Sequence, residues 1–341
     1  MSEAAFPILG TVFVLLVLLP TCALLVKLGL LLIERYEASG LLRRLNLRYL
    51  FLTGSSALPL AWLVSAGLHQ VESGKSALSC LLDHDTSALC LEPGFFALAL
   101  ALVATITSLS LLLKHKFPPA STTKVAEQLI SRISYIIAAH PELMFLSNRI
   151  VVSDDSTLNI YTHGVFRPCV VISTHYAARL SDPMLRSALG HELEHVRSYD
   201  PLRYLFLHAA LSVNPFGRFL LAPHAKSWQF AREAQCDRQA VINGAAPLSL
   251  AEAILQAARP SARELVALST GDLTAVKFRV NMLLSFAEHP PERDTTNHRS
   301  IAALLPFILT VLALLLPHQT STSALDTLHL GAEHAFSNFL R

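Results

Sequence analysis

Four long apolar runs interrupt an otherwise mixed chain, from Ile8 to Ile33, Leu50 to Leu68, Phe95 to Leu113 and Ile301 to Leu316. A helix needs roughly 20 apolar residues to cross the hydrocarbon core of a bilayer, so each run reads as a membrane span, the last being the shortest. The first contains Pro20 and Lys27 and is expected to tilt, with Lys27 reaching an interface. Between the third and fourth runs the pattern changes to that of a compact polar domain. Residues Thr122 to Ala139 place apolar side chains at helical spacing. Arg149 to Ser153 and Asn159 to Ser173 read as strands, and the second is broken at Gly164 and Pro168, which marks it as an edge. An edge can pair with an extended peptide; it can equally be an ordinary hairpin over a core.

Ser181-Asp182-Pro183 then starts a helix and Asp200-Pro201 stops it, predicting a helix from Asp182 to Tyr199. Its apolar stripe is Leu185, Leu189, Leu193 and Val196. Leu202 to Ala222, broken at Asn214-Pro215, reads as a hairpin of buried helices or as an arm reaching the membrane. A further helix is expected over Trp228 to Ile242, ending near Asn243-Gly244.

Composition strengthens the membrane expectation. Of 341 residues 52% are hydrophobic and only 15% charged, more apolar than a typical soluble domain. The expected fold class is therefore a membrane α-helical protein of about four spans, carrying an inserted α+β domain. The expected division is a three-helix membrane region over residues 1–117, a cytoplasmic domain over 118–299, a fourth span over 300–317 and a short outer tail over 318–341. Arg35, Arg43, Arg44 and Arg48 place the first loop inside, whereas the loop from His69 to Gly94 has Lys75 as its only basic residue. That second loop holds Cys80 and Cys90, which an oxidising compartment would allow to pair. A cleavable signal is not expected, since Met1 to Pro7 carries Glu3 and no basic residue. The net charge of +2, with dispersed arginines, argues against nucleic acid as a partner.

The chemistry concentrates in His191-Glu192-Leu193-Glu194-His195. Imidazoles four residues apart on a helix share a face and can bind one metal ion, with Glu192 beside them as general base. Zinc in such a site keeps an open position and lowers the pKa of the water bound there. A later helix supplies the rest: Glu233 as third ligand, with Asp237 on the same face to orient a ligand imidazole. Glu194 is expected in solvent on the opposite flank. His140, His163, His175, His208 and His224 read as ordinary structural residues, and Cys236 as a buried thiol on the back of its helix. Arg279, near Lys277, is a candidate donor to a developing oxyanion.

Taken together, Gly164-Val165-Phe166-Arg167-Pro168, Val170 to Ser173, the HELEH helix followed by Asp200, Asn214-Pro215, and Glu233 to Asp237 resemble the BlaR/MecR family of membrane metallopeptidases. They are similar, more distantly, to the HtpX and CAAX-prenyl protease group. The resemblance spans about Leu9 to Leu316 and implies a zincin-like metallopeptidase fold for the inserted α+β domain, with zinc on His191, His195 and Glu233 and Glu192 as base. Antibiotic-sensing members end in a large penicillin-binding sensor, which is not expected beyond His318. The tail from Ala324 to Arg341 reads as either a short amphipathic helix or a disordered terminus.

The expected function is a zinc-dependent endopeptidase at the cytoplasmic face of a bacterial inner membrane, with a protein substrate, the lipid bilayer and a separate sensor protein as partners. The alternative is a non-catalytic signalling or scaffold protein with a structural zinc site, which would need four protein ligands. A transporter is a third reading, disfavoured because the spans lack paired charges.

Overall fold

The computed structural model describes residues 19–36, 45–56, 121–258 and 270–292, together with Ile106 and Ser110. Its elements are α1 (Leu19–Tyr36), α2 (Lys124–Ala139), a 3-10 turn (Pro141–Leu146), β1 (Ile150–Ser153), β2 (Ile160–His163), β3 (Cys169–Ser173), α3 (Thr174–Ala177), α4 (Asp182–Arg197), α5 (Asp200–Val213), α6 (Pro215–Ile242), α7 (Pro247–Ala257) and α8 (Thr270–Glu288). An unlabelled helical stretch covers 45–56.

Thr123 caps α2, its side chain accepting the Ala126 amide at 3.2 Å. The buried residues Ala126, Leu129, Ile133, Ile136 and Ile137 recur at helical spacing and face the core, as the sequence periodicity predicts. The sheet has the order β1-β3-β2, with β1 parallel and β2 antiparallel to β3. Here the expectation of one broken edge strand needs correction. Gly164, at φ 94°, turns the chain between β2 and β3, so the segment folds on itself. Val170, Val171 and Ile172 of β3 are fully buried at the centre, so within this segment it is β2 that lies at an edge of the sheet, with β1 at the other.

Helix α4 packs on this sheet through Leu185, Leu189 and Leu193, each buried and each contributing about 2 kcal/mol of apolar transfer. It ends at Arg197, and Tyr199, at φ 52°, turns the chain so that Asp200 opens α5. A left-handed conformation at a tyrosine is uncommon and costs on the order of 1–3 kcal/mol, so the surrounding structure must impose it. Asp200-Pro201, expected as a stop, therefore also serves as a start, with proline in the first turn where its missing N–H costs nothing.

Asn214 closes the next junction. Its Oδ1 accepts the Gly217 amide at 2.9 Å, and its Nδ2 donates to the Leu19 carbonyl at 3.0 Å. From Pro215 the chain runs as one helix to Ile242, with Pro223 inside it, rather than starting at Trp228. Leu207 and Leu211 of α5 pack with Leu221 and Trp228 of α6, Leu30 of α1, and Tyr49 and Leu52. The segment from Leu202 to Ala222 is thus a pair of helices with a buried seam. A third cluster joins α6, α7 and α8 through Ala240, Ala245, Leu250, Ala251 and Leu283.

The expected four-span membrane fold is overturned: among the described residues, no helix is long and apolar enough to cross a membrane. Helix α1 carries Lys27, Glu34 and Arg35 within its 18 residues, and its Leu30 packs in the seam with α5 and α6. Glu34 accepts from His224 on α6 at 3.2 Å, tying that end of α1 to protein. The runs from Phe95 to Leu113 and Ile301 to Leu316, the pair Cys80 and Cys90 and the tail from Ala324 lie outside the described residues, apart from Ile106 and Ser110.

Candidate active site

One turn of α4 separates His191 from His195, so both imidazoles leave the same face. Their Nε2 atoms stand 3.1 Å apart. Helix α6 crosses this face and brings in Glu233, with Oε2 3.4 Å from His191 Nε2 and Oε1 3.4 Å from His195 Nε2. Both histidines are buried, while the Glu233 carboxylate is partly open to the cleft.

Each imidazole is held from behind. His195 Nδ1–H donates to Asp200 Oδ2 at 2.6 Å, made possible by the turn at Tyr199. Because an ionised carboxylate only accepts, this contact keeps a proton on Nδ1, so that Nε2 is the nitrogen left to take a metal in place of its own proton. His191 Nδ1 lies 2.8 Å from Asp237 Oδ1, at ion-pair distance although not aligned for a linear hydrogen bond. Asp200 and Asp237 are completely buried and are themselves paired with cations. Arg232 Nε donates to Asp200 Oδ2 at 2.8 Å; Arg279 grips Asp237 with Nε at 2.6 Å and Nη2 at 2.8 Å.

The electrostatics follow. Burial pushes the Asp200 pKa up, but the Arg232 guanidinium, His195 and Arg203 outweigh it and bring it from 3.8 down to about 2. Burial likewise opposes ionisation of Glu233, yet His195, His191 and Arg279 hold it well below the ordinary glutamate range. The two imidazoles, which burial alone would discharge, are raised by Asp237 and Glu233 at His191 and, at His195, by Cys236, Glu233 and Asp200. Asp200, Asp237 and Glu233 thus stay ionised around the two imidazoles, balanced in part by Arg232 and Arg279.

The donor set fits a zinc ion. Zinc bonds of about 2.0–2.2 Å in tetrahedral arrangement separate neighbouring ligand atoms by about 3.3 Å. The two Nε2 atoms here are 3.1 Å apart, and each lies 3.4 Å from one Glu233 oxygen, Oε2 for His191 and Oε1 for His195. The ligand atoms of His191, His195 and Glu233 form one of two such groups among the described residues; the other is His195, Asp200 and Cys236. Cys236 is 3.6 Å from His195 Nδ1, the nitrogen engaged by Asp200, and burial raises its thiol pKa. It therefore sits behind the His195 ring rather than on the back of its helix, and as a neutral thiol it is a poor ligand.

Glu192 lies next to the donors and accepts a hydrogen bond from Thr162 Oγ1 of β2 at 2.8 Å. A cleft of about 890 Å³ runs along β2, the 164–167 loop and α5, and His191, Glu192, His195 and Glu233 all line it. Sequence reasoning missed Thr162 and Arg232 for want of any motif, and it took Asp200 for a helix boundary and a mark of the family resemblance without giving it a role at the metal site. Glu194, expected in solvent, is buried, because Asn243 Nδ2 donates to its Oε1 at 2.8 Å and Arg197 pairs with it at 3.3 Å. Arg279, expected near an oxyanion, instead spends its N–H groups on Asp237 and on Glu233, the latter at 3.1 Å from Nη1.

With that geometry in place, the comparison with known families is informative. Residues 123–278 match the model of peptidase family M48. The match supports a metallopeptidase of the M48 family. It covers α2 through the first half of α8, including His191, Glu192, His195, Glu233 and Asp237, and stops one residue before Arg279. It lends no particular support to the BlaR/MecR likeness. No curated protein and no solved structure matches the chain.

Proposed function

We propose that this chain is a zinc-dependent endopeptidase that cleaves protein substrates in the cleft along β2. The observation that carries the reading is the convergence of His191 Nε2, His195 Nε2 and Glu233 in a cleft that also holds Glu192. Zinc, when bound there, supplies a Lewis acid for the scissile carbonyl and lowers the pKa of a coordinated water. His191, His195 and Glu233 would hold it. Asp200 keeps His195 in the ligating tautomer, and the Asp237 carboxylate, 2.8 Å from His191 Nδ1, favours a proton on that nitrogen. Glu192 takes the proton of the attacking water and passes it to the leaving amine, while Thr162 keeps its carboxylate in place. The free edge of β2 offers main-chain groups to an extended peptide, which favours an unfolded or flexible segment as substrate.

The competing reading, a purely structural zinc site, requires a fourth protein donor to close the coordination sphere. The candidate, Cys236, stands on the wrong side of His195. A role in signalling through cleavage of a regulatory protein extends this proposal to the substrate.

The test compares the purified full chain with its Glu192→Gln form. Both are expected to bind one zinc ion, and the variant is expected to lose at least about 100-fold in cleavage of denatured casein. Undiminished cleavage by Glu192→Gln would remove the proposed base. Quantitative proteomics of cells carrying each form would then name the natural substrate as the product confined to the native sample.

A further inference from the structure

Arg279 bridges α8 and the donor set of α4 and α6. Its Nε and Nη2 hold both oxygens of Asp237, at 2.6 and 2.8 Å, while Nη1 donates to Glu233 Oε2 at 3.1 Å. Its Nη2 also lies 3.5 Å from His191 Nε2. One planar guanidinium therefore spans two carboxylates that lie four residues apart on α6. A fork of this kind fixes the rotation of a carboxylate in a way that a point charge cannot. With Oε2 of Glu233 taken by Arg279, Oε1 is left facing His195 Nε2 at 3.4 Å. With both oxygens of Asp237 clamped, the carboxylate behind His191 has one orientation.

The remainder of α8 packs along α7 and the end of α6. Leu283 is buried against Ala240, Ala245, Leu250 and Ala251, with Val280 and Phe286 packed beside that cluster. The Phe278 ring meets Phe230 at 5.1 Å between centroids, yet Phe278 stays exposed, as do Leu273 and Leu284. Leu283 is the one fully buried apolar side chain among the described residues of α8, and Arg279 lies one turn before it, joining that seam to the donors.

We propose that Arg279 is a positioning residue for the Glu233 and His191 donors and that α8 is the latch that delivers it, so that docking of α8 and loading of the metal are coupled. This rests on the zinc site proposed above. Coupling of this kind is reciprocal: whatever α8 docking adds to metal affinity, the metal adds to α8 docking. Any partner or segment that lifts α8 would lower the affinity of the site for zinc without touching a ligand.

The experiment uses the full chain and zinc alone as the probe. Zinc affinity is measured by competition with a chromophoric chelator in the native chain and in Arg279→Ala, Arg279→Lys and Leu283→Ala, and amide exchange of residues 270–288 is followed with and without zinc. Arg279→Ala is expected to weaken zinc binding by roughly 10- to 100-fold, the loss usual for a group behind a ligand. Arg279→Lys should fall between the two, having the charge without the fork. Leu283→Ala, which touches no donor, should weaken zinc binding as well, by loosening the latch. Zinc should slow exchange of α8 in the native chain and not in Arg279→Ala. Should the alanine form fail to fold, the lysine and Leu283 forms and the native exchange data carry the test. Native zinc affinity in both Arg279 variants, or α8 exchange indifferent to zinc in the native chain, would overturn the latch. If instead His191→Ala binds zinc like the native chain, the metal site itself is wrong, a failure distinguishable from that of the latch.

Discussion

Thr162 of β2 donates to the carboxylate of Glu192 on α4, Oγ1 to Oε2, at 2.8 Å, and the same hydroxyl lies 3.3 Å from the Glu192 carbonyl. The strand whose edge borders the cleft and the residue proposed as base are thereby joined. A peptide docking on β2 would arrive in fixed register with Glu192, which binding at an independent surface could not ensure.

Replacing Thr162 by valine keeps the shape of the side chain and removes the donor. A hydrogen bond to a charged group is worth about 1.5–3 kcal/mol, so kcat for casein cleavage should fall on the order of 10- to 100-fold. Zinc affinity should stay at the native value. Steady-state kinetics paired with a zinc titration checks both halves.

Asp200 is the anion that keeps Arg232 from being a lone buried charge, with Nε 2.8 Å away and both side chains nearly inaccessible. Asp200→Asn should destabilise the chain by about 3–5 kcal/mol, because the guanidinium loses its counter-ion in a site that water does not reach. The midpoint of urea unfolding, compared at constant slope, measures this.

The same residue sets a pH dependence. Its native pKa of about 2 lies below its ordinary 3.8, so ionised Asp200 favours the folded state. That contribution, about 2 kcal/mol, is complete above the ordinary value and is lost as pH falls from about 4 through about 2. Unfolding free energies measured across this window should show a steeper acid loss in the native chain than in Asp200→Asn; equal slopes would count against the pairing.

Zinc should stabilise the fold by mass action. At free zinc about 100 times the dissociation constant, the gain is about 2.7 kcal/mol, visible as a rise in thermal midpoint that a chelator reverses. His195→Ala should show no such rise, since it removes one donor and breaks the link to Asp200.

Gly244 ends α6 at φ 100°, a conformation that L side chains rarely adopt. An added Cβ would also meet Arg186 Nη2 at 3.2 Å, and that nitrogen donates to the Gly244 carbonyl. Gly244→Ala should cost about 1–2 kcal/mol in unfolding free energy and leave zinc binding unchanged.

Much of the catalytic half of the fold could be read from the chain. The spacing of Leu185, Leu189 and Leu193 marked the buried face of α4, and the four-residue interval between His191 and His195 marked its chemical face. These are properties of one helix, which periodicity reports directly. The same logic paired Glu233 with Asp237. It failed at Glu194, whose partner Asn243 comes from the end of another helix, and at the segment from Asn159 to Ser173, where local breaks signalled an edge without saying which half would occupy it. It failed also for the membrane spans. Apolar content marks residues that avoid water, and in α1 it could not tell lipid from the seam formed by Leu207, Leu221 and Trp228.

What the sequence determined by itself is therefore local: helix α4 with its two imidazoles and one carboxylate, the carboxylate pair on α6, and the boundaries set by Pro and Gly. Only the tertiary structure decided which anion stands behind which imidazole, that Thr162 holds Glu192, and that Arg279 spans Asp237 and Glu233. Those contacts join residues between 5 and 46 positions apart. Most depend on the crossing of helices and the pairing of strands, and the closest, from His195 to Asp200, depends on one left-handed turn at Tyr199. No periodicity in the chain encodes either, because each arises from the packing of surfaces that are separate until the chain folds.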